Sequence, residues 1–181
     1  MKPTTAILCT VVCAAGAAFA ADPNMVARTY DSALKSAESD IVGLAEAMPA
    51  DKYNFAPANG SFDGVRTFAQ QVKHLAAVIY LVSAASLAEK VPVDTNGEKG
   101  PDSAVTKEQI VVFLKGSFAY AHKAANTLTA ANEMEPVESP FGKEKVTRAG
   151  ILNVAAWHSF DHYGQMVVYA RMNGVVPPAS R

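Results

Sequence analysis

The sequence predicts an all-α protein, a four-helix bundle with long connecting loops. Three observations carry this. Apolar residues recur at steps of three and four through segments of about twenty residues, the pattern of amphipathic helices facing a shared core. Thr67 with Gln70, and Thr106 with Gln109, form capping boxes directly ahead of two such segments. No stretch alternates apolar and polar residues as a half-buried strand would.

The chain opens on an export leader. Lys2 supplies the positive end, positions 6–18 are almost unbroken apolar sequence, and Ala18-Phe19-Ala20 is a small-x-small cleavage pattern. Residues 1–20 read as a signal peptide and 21–181 as the helical domain, so the mature chain should begin at Ala21. Cys9 and Cys13 lie inside the apolar core of the leader and leave with it. The expectation is an exported, periplasmic or secreted protein with no stable membrane span after cleavage.

The first helix is expected between Asn24 and Met48, where Tyr30, Leu34, Ala37, Ile41, Leu44 and Met48 share one face and Pro49 ends the run. Positions 50–66 hold Pro57, Gly60 and Gly64 and read as loop. The second helix should run from Phe68 to Leu87 behind the Thr67 cap. Positions 91–105 carry two prolines and two glycines without periodicity, a long connection. Behind Thr106, Ile110, Leu114, Phe118, Ala121, Ala125 and Leu128 form the stripe of a third helix. Positions 133–145 read as loop again. Thr147 caps a fourth helix from Arg148 to Met172 or Asn173, stopped by Gly174 and followed by Pro177 and Pro178, with an extended tail from Val175 to Arg181.

Composition narrows the function. Half of the 181 residues are hydrophobic and 18% are charged, enough apolar surface to offset the entropy of ordering, which excludes a disordered chain. Sixteen basic residues against seventeen acidic ones give a net charge of −1; without Lys2 the balance is −2. There is no basic run, so nucleic acid is not an expected partner. Two cysteines exclude a disulfide-stapled or cysteine-rich zinc scaffold.

The chemistry sits on histidines. His158 and His162 are four residues apart, so on a helix their imidazoles stand about 40° apart and one turn apart, able to share one divalent ion. Ile151 and Ala155 precede them on that face, and Gln165, Tyr169 and Met172 follow, which marks the face as core-directed. Ser159 stands where a zincin-type protease has glutamate, so that chemistry is excluded. His74, in the second helix, could complete a three-nitrogen site if the two helices face each other. His122 lies near the edge of the third stripe. Gln165 and Tyr169 could orient water or substrate, or simply pack; Asp161 and Tyr163 are offset candidates for proton handling.

This order, one His in helix two and H-x-x-x-H in helix four, resembles the DinB-like (damage-inducible) family. The supporting text is Met-Pro-Ala-Asp-Lys-Tyr-Asn-Phe-Ala-Pro at 48–57, Arg-Thr-Phe-Ala-Gln-Gln-Val-Lys-His-Leu-Ala at 66–76, and the stretch from His-Tyr-Gly-Gln at 162 to Ser180. The resemblance implies an up-down four-helix bundle and a divalent metal site carried onto His74, His158 and His162. It also implies relatives that are thiol-dependent transferases or isomerases, and frequent homodimers. No basic cluster that would hold a thiol's carboxylates is visible around the histidines. The functional expectation is a metal-dependent hydrolase or transferase acting on an unknown small molecule, with zinc first and nickel second, since imidazole suits both. The alternatives are a non-enzymatic bundle that binds metal or a partner, and a structural bundle whose histidines are polar core residues.

Overall fold

The structure is a computed structural model and describes residues 22–181. The leader, its cleavage after Ala20, and Cys9 and Cys13 lie outside the described residues. Four long helices follow in order: α1 (Met25–Ala47), α2 (Phe68–Leu87), α3 (Lys107–Asn126) and α4 (Arg148–Met172). Both capping boxes form, with each threonine side chain accepting from the backbone N–H of its glutamine and each glutamine reaching back. The Thr147 hydroxyl caps α4 by accepting from the Gly150 N–H at 3.1 Å. Gly174 takes φ +74 just beyond α4, the left-handed conformation that stops a helix without a Cβ clash.

Each of the predicted stripes reaches the core. Leu34, Ile41 and Leu44 of α1 meet Phe68, Leu75 and Ile79 of α2 and Ile110, Leu114 and Phe118 of α3 in one buried cluster, with Leu152 and Met166 from α4. Full burial of such side chains contributes about 1.5–3 kcal/mol each. α2 is buried on nearly every side, from Phe68 and Ala69 through Ser86. Its sequence explains this, because Leu75 to Val82 is entirely apolar or aromatic. A helix without a polar face must be covered all round.

α2 packs against α3 and α4, and α1 packs against the same two, so α1 and α2 lie across a diagonal. Running directions follow from residue pairs. Gln71 meets Gln165, and Arg66 meets Tyr169, so α2 and α4 are antiparallel. Lys107 reaches the carbonyls of Glu46 and Met48 while His122 reaches Asp31, so α1 and α3 are antiparallel. Tyr80 lies against Phe113 and Glu89 bonds Tyr120, so α2 and α3 run the same way. The chain between them must therefore return the length of α2. That is the physical reason for the long connection, a crossover of the kind some four-helix bundles use.

Two loop expectations are corrected. The 133–145 stretch is not loop throughout: Pro136–Glu138 (β1) pairs antiparallel with Lys145–Thr147 (β2), with Val137 opposite Val146. Three-residue strands are too short for an alternation to register in sequence. Arg148 anchors this hairpin to the end of α2, donating to the Ser86 carbonyl and to Glu135 Oε2, each at 2.9 Å. The tail is not extended to its end, because Pro178–Ser180 forms a turn of 3₁₀ helix. Pro178 there packs 3.7 Å from the Cβ position of Gly43 on α1. No described helix is long and apolar enough to cross a membrane.

Candidate metal centre

α2 and α4 bring together three histidines that sequence separates by up to 88 positions (162 − 74). His74 and His162 are buried, and His158 is partly buried. The ring centroids of His158 and His162 are 4.4 Å apart, and that of His74 is 5.3 Å from the first and 4.9 Å from the second. One nitrogen from each ring lies within 4.8 Å of the others, so the three are placed to hold one metal ion. The Nε2 atoms of His74 and His158 are 3.3 Å apart. Two nitrogens each about 2.0–2.1 Å from a tetrahedral zinc would be about 3.3 Å apart.

The outer nitrogens decide which way the lone pairs face. His74 Nδ1 is 2.7 Å from the carbonyl oxygen of Glu98. A carbonyl only accepts, so Nδ1 carries the proton and Nε2 of the neutral ring is left as a lone pair. His162 Nδ1 is 2.5 Å from Gln71 Oε1, while Gln71 Nε2 donates to Gln165 Oε1 at 2.9 Å. That chain of amides again makes Nδ1 the donor and aims the His162 lone pair inward. Facing lone pairs repel unless a proton or a cation lies between them. The donor set therefore suits a divalent ion.

Charge supports the same state. Burial pushes His74 below the ordinary imidazole value, with the Glu98 carbonyl opposing and Arg66 assisting. His158 is lowered by burial and then by the neighbouring His74. His162 falls furthest, to about 4, through burial and then the proximity of His158 and His74. All three rings are neutral at pH 7, the form that ligates metal.

The other sequence candidates divide. Gln165 does belong to the site, through Gln71. Tyr169 lies beside it, but its hydroxyl donates to the Arg66 carbonyl at 3.1 Å and holds the chain entering α2. Asp161 is exposed and acts on His158 and His162 only through its charge. Tyr163 is partly buried and packs against the core. Met172 is not on a core-directed face; it is 51% exposed. The face turns outward there because an α-helix gains about 100° per residue, so a stripe strict in sequence drifts around the axis. His122 is not part of the centre. It bridges α3 to α1, with Nδ1 2.6 Å from Asp31 Oδ1 and Nε2 3.1 Å from Glu38 Oε2.

Sequence reasoning missed Gln71 and the Glu98 carbonyl. Gln71 had a signal, since it sits three residues before His74 on the same helix. The carbonyl had none, because any residue supplies one. Also missed was a cleft of about 850 Å³ beside His74, whose wall includes Arg66, Lys73 and Lys99. A basic cluster does therefore stand near the histidines, assembled from three separate places in the chain.

The model of the DinB superfamily matches residues 33–166. Among solved structures, the fold is similar to a DinB-like protein from Bacillus subtilis, with a TM-score of 0.62 and 20% identity, covering 81% of this chain and 92% of that one. No curated protein is matched by the sequence.

Proposed function

The chain belongs to the DinB superfamily, and from that premise we propose that it is an exported metal-dependent hydrolase or transferase. His74, His158 and His162 would hold one divalent ion, zinc in the first place and nickel in the second. The observation that carries this reading is the pair of outer hydrogen bonds, Glu98 carbonyl to His74 and Gln71 to His162, which leave inward lone pairs on both rings. Held by these three neutral imidazoles, a divalent ion would keep its full charge and would supply Lewis acidity.

The chain's own groups do the rest. Gln71 and Gln165 keep His162 oriented, and the connection between α2 and α3 keeps His74 oriented through Glu98. The cleft beside His74 gives a small molecule access to the centre, which favours an enzyme over a closed structural site. Export rests on Lys2, the apolar stretch at 6–18 and Ala18-Phe19-Ala20.

The test is metal analysis of protein dialysed against zinc or nickel salts. Wild type should hold one ion per chain, and the His158→Ala/His162→Ala protein none, with far-UV circular dichroism retained. Unchanged stoichiometry in the double variant would overturn the site. Hydrolase and transferase screens should then show activity only in metal-loaded wild type, and activity that survives both chelation and the double variant would reject the mechanism.

A further inference from the structure

We propose that the cleft beside His74 is a binding site for a small amphipathic oxyanion, a molecule with an apolar body and a carboxylate or phosphate group. Three cations line it: Arg66 just ahead of α2, Lys73 within α2, and Lys99 in the connection that returns over α2. Among the described residues, none of the three has a carboxylate within 4.0 Å. One acidic residue, Asp102, shares the wall, and its Oδ1 accepts from Asn96 Nδ2 at 3.1 Å. The wall is therefore net positive in a chain whose overall charge is −1.

The backbone builds this arrangement. Gly100 has φ +76, and a Cβ there would lie 2.9 Å from Lys73 Cβ and 3.0 Å from the Lys73 carbonyl oxygen. Only glycine lets the connection lie this close to α2, and the contact sets Lys99 beside Lys73. The Tyr169 hydroxyl holds the Arg66 carbonyl. Three like charges gathered around one cleft repel each other, and a bound anion relieves that repulsion. The rest of the wall is mixed: Gln70, Gln71 and Gln165 contribute amides, while Phe62, Val65 and Val168 give it an apolar part, with Phe62 and Val168 exposed. A cationic edge beside that apolar part selects a molecule that carries both features.

The inference depends on the metal reading only for the chemistry that would follow binding; the anion site itself needs no metal. The experiment titrates the mature chain, metal-free and zinc-loaded, with four probes of one apolar body: hexanoate, hexyl phosphate, hexanol and hexylammonium. Calorimetry or amide chemical shifts report binding, and zinc content is measured in the same samples. One or both anions should bind, with the alcohol and the ammonium weaker by at least about tenfold, and added salt should weaken the anions. Which anion binds tighter tells carboxylate from phosphate. Arg66→Gln/Lys73→Gln/Lys99→Gln should lose at least about tenfold for the anions and keep its zinc, while Lys73→Arg/Lys99→Arg should bind as wild type does. Equal binding of hexylammonium, no anion binding to wild type, or undiminished anion binding to the triple glutamine protein would each overturn the proposal. Should that protein fail to fold, Lys99→Gln alone, on an exposed loop, must still weaken the anions by about threefold or the proposal fails. Loss of zinc binding by wild type would reject the metal centre and leave the anion site standing.

Discussion

His74 and His158 face each other nitrogen to nitrogen, Nε2 to Nε2 at 3.3 Å, across the contact between α2 and α4. His74 has already committed its other nitrogen to the Glu98 carbonyl. A cation on the His74 lone pair would lie within reach of His158 as well, so replacement of His74 should be felt in metal binding and in stability together.

Replacement of His74 by alanine should weaken zinc binding by at least about a hundredfold, because two imidazoles remain and water must fill the vacancy. At a free zinc concentration a hundred times the wild-type Kd, wild type gains about 2.7 kcal/mol and such a variant only about 0.4 kcal/mol. Calorimetric melts with zinc and with chelator give both differences. An equal zinc-induced rise in Tm in the two proteins would remove His74 from the ligand set.

Gln71→Leu should leave the helices intact and weaken metal affinity about 10–100-fold, the usual effect of losing the partner that orients a ligating imidazole. Competition with a chromophoric chelator measures it. Affinity equal to wild type would mean that the His162 ring is held by packing alone.

Metal-free protein should lose stability on acidification. His162 is lowered to about 4 in the folded chain, against 6.5 when unfolded, and His74 and His158 are lowered as well. The unfolded chain therefore takes up these protons first, so their contribution is full above pH 6.5 and is lost as pH falls towards about 4. Urea titrations across that window should show a steeper decline for wild type than for His162→Leu. Parallel curves would contradict the assigned shift.

His122→Ala should leave zinc affinity unchanged while costing about 1–2 kcal/mol of stability, since it removes the bridge from α3 to Asp31 and Glu38 on α1. Burial works against the charge on Asp31, but hydrogen bonds from Lys35 and His122 outweigh it and hold its carboxyl below the usual range. Denaturation with parallel zinc titration checks both halves of the claim.

Ala88 ends α2 with φ +54, a left-handed conformation that disfavours a Cβ, and it is exposed. Ala88→Gly should therefore raise stability by about 1 kcal/mol without touching the site. A lower Tm in the glycine variant would show that the backbone there can relax out of this conformation.

The helices and one half of the site are legible in short stretches of the chain. Stripes such as Ile110-Leu114-Phe118 and caps such as Thr67-Gln70 express forces acting within one or two turns, so they are written in short windows. The His158–His162 pair is local for the same reason. His74 was legible only as a candidate that needs helices two and four to face each other, and the resemblance to relatives pointed the same way. The rest depends on how distant segments pack. The Glu98 carbonyl lies 24 positions from His74, and Gln71 lies 91 from His162, yet these two contacts set the direction of both lone pairs. His122 left the centre because Asp31 and Glu38 were waiting on α1. Arg66, Lys73 and Lys99 became one wall when the connection turned back over α2. Contacts between distant segments leave no period in the sequence, because they depend on where the helices pack and which way the chain returns.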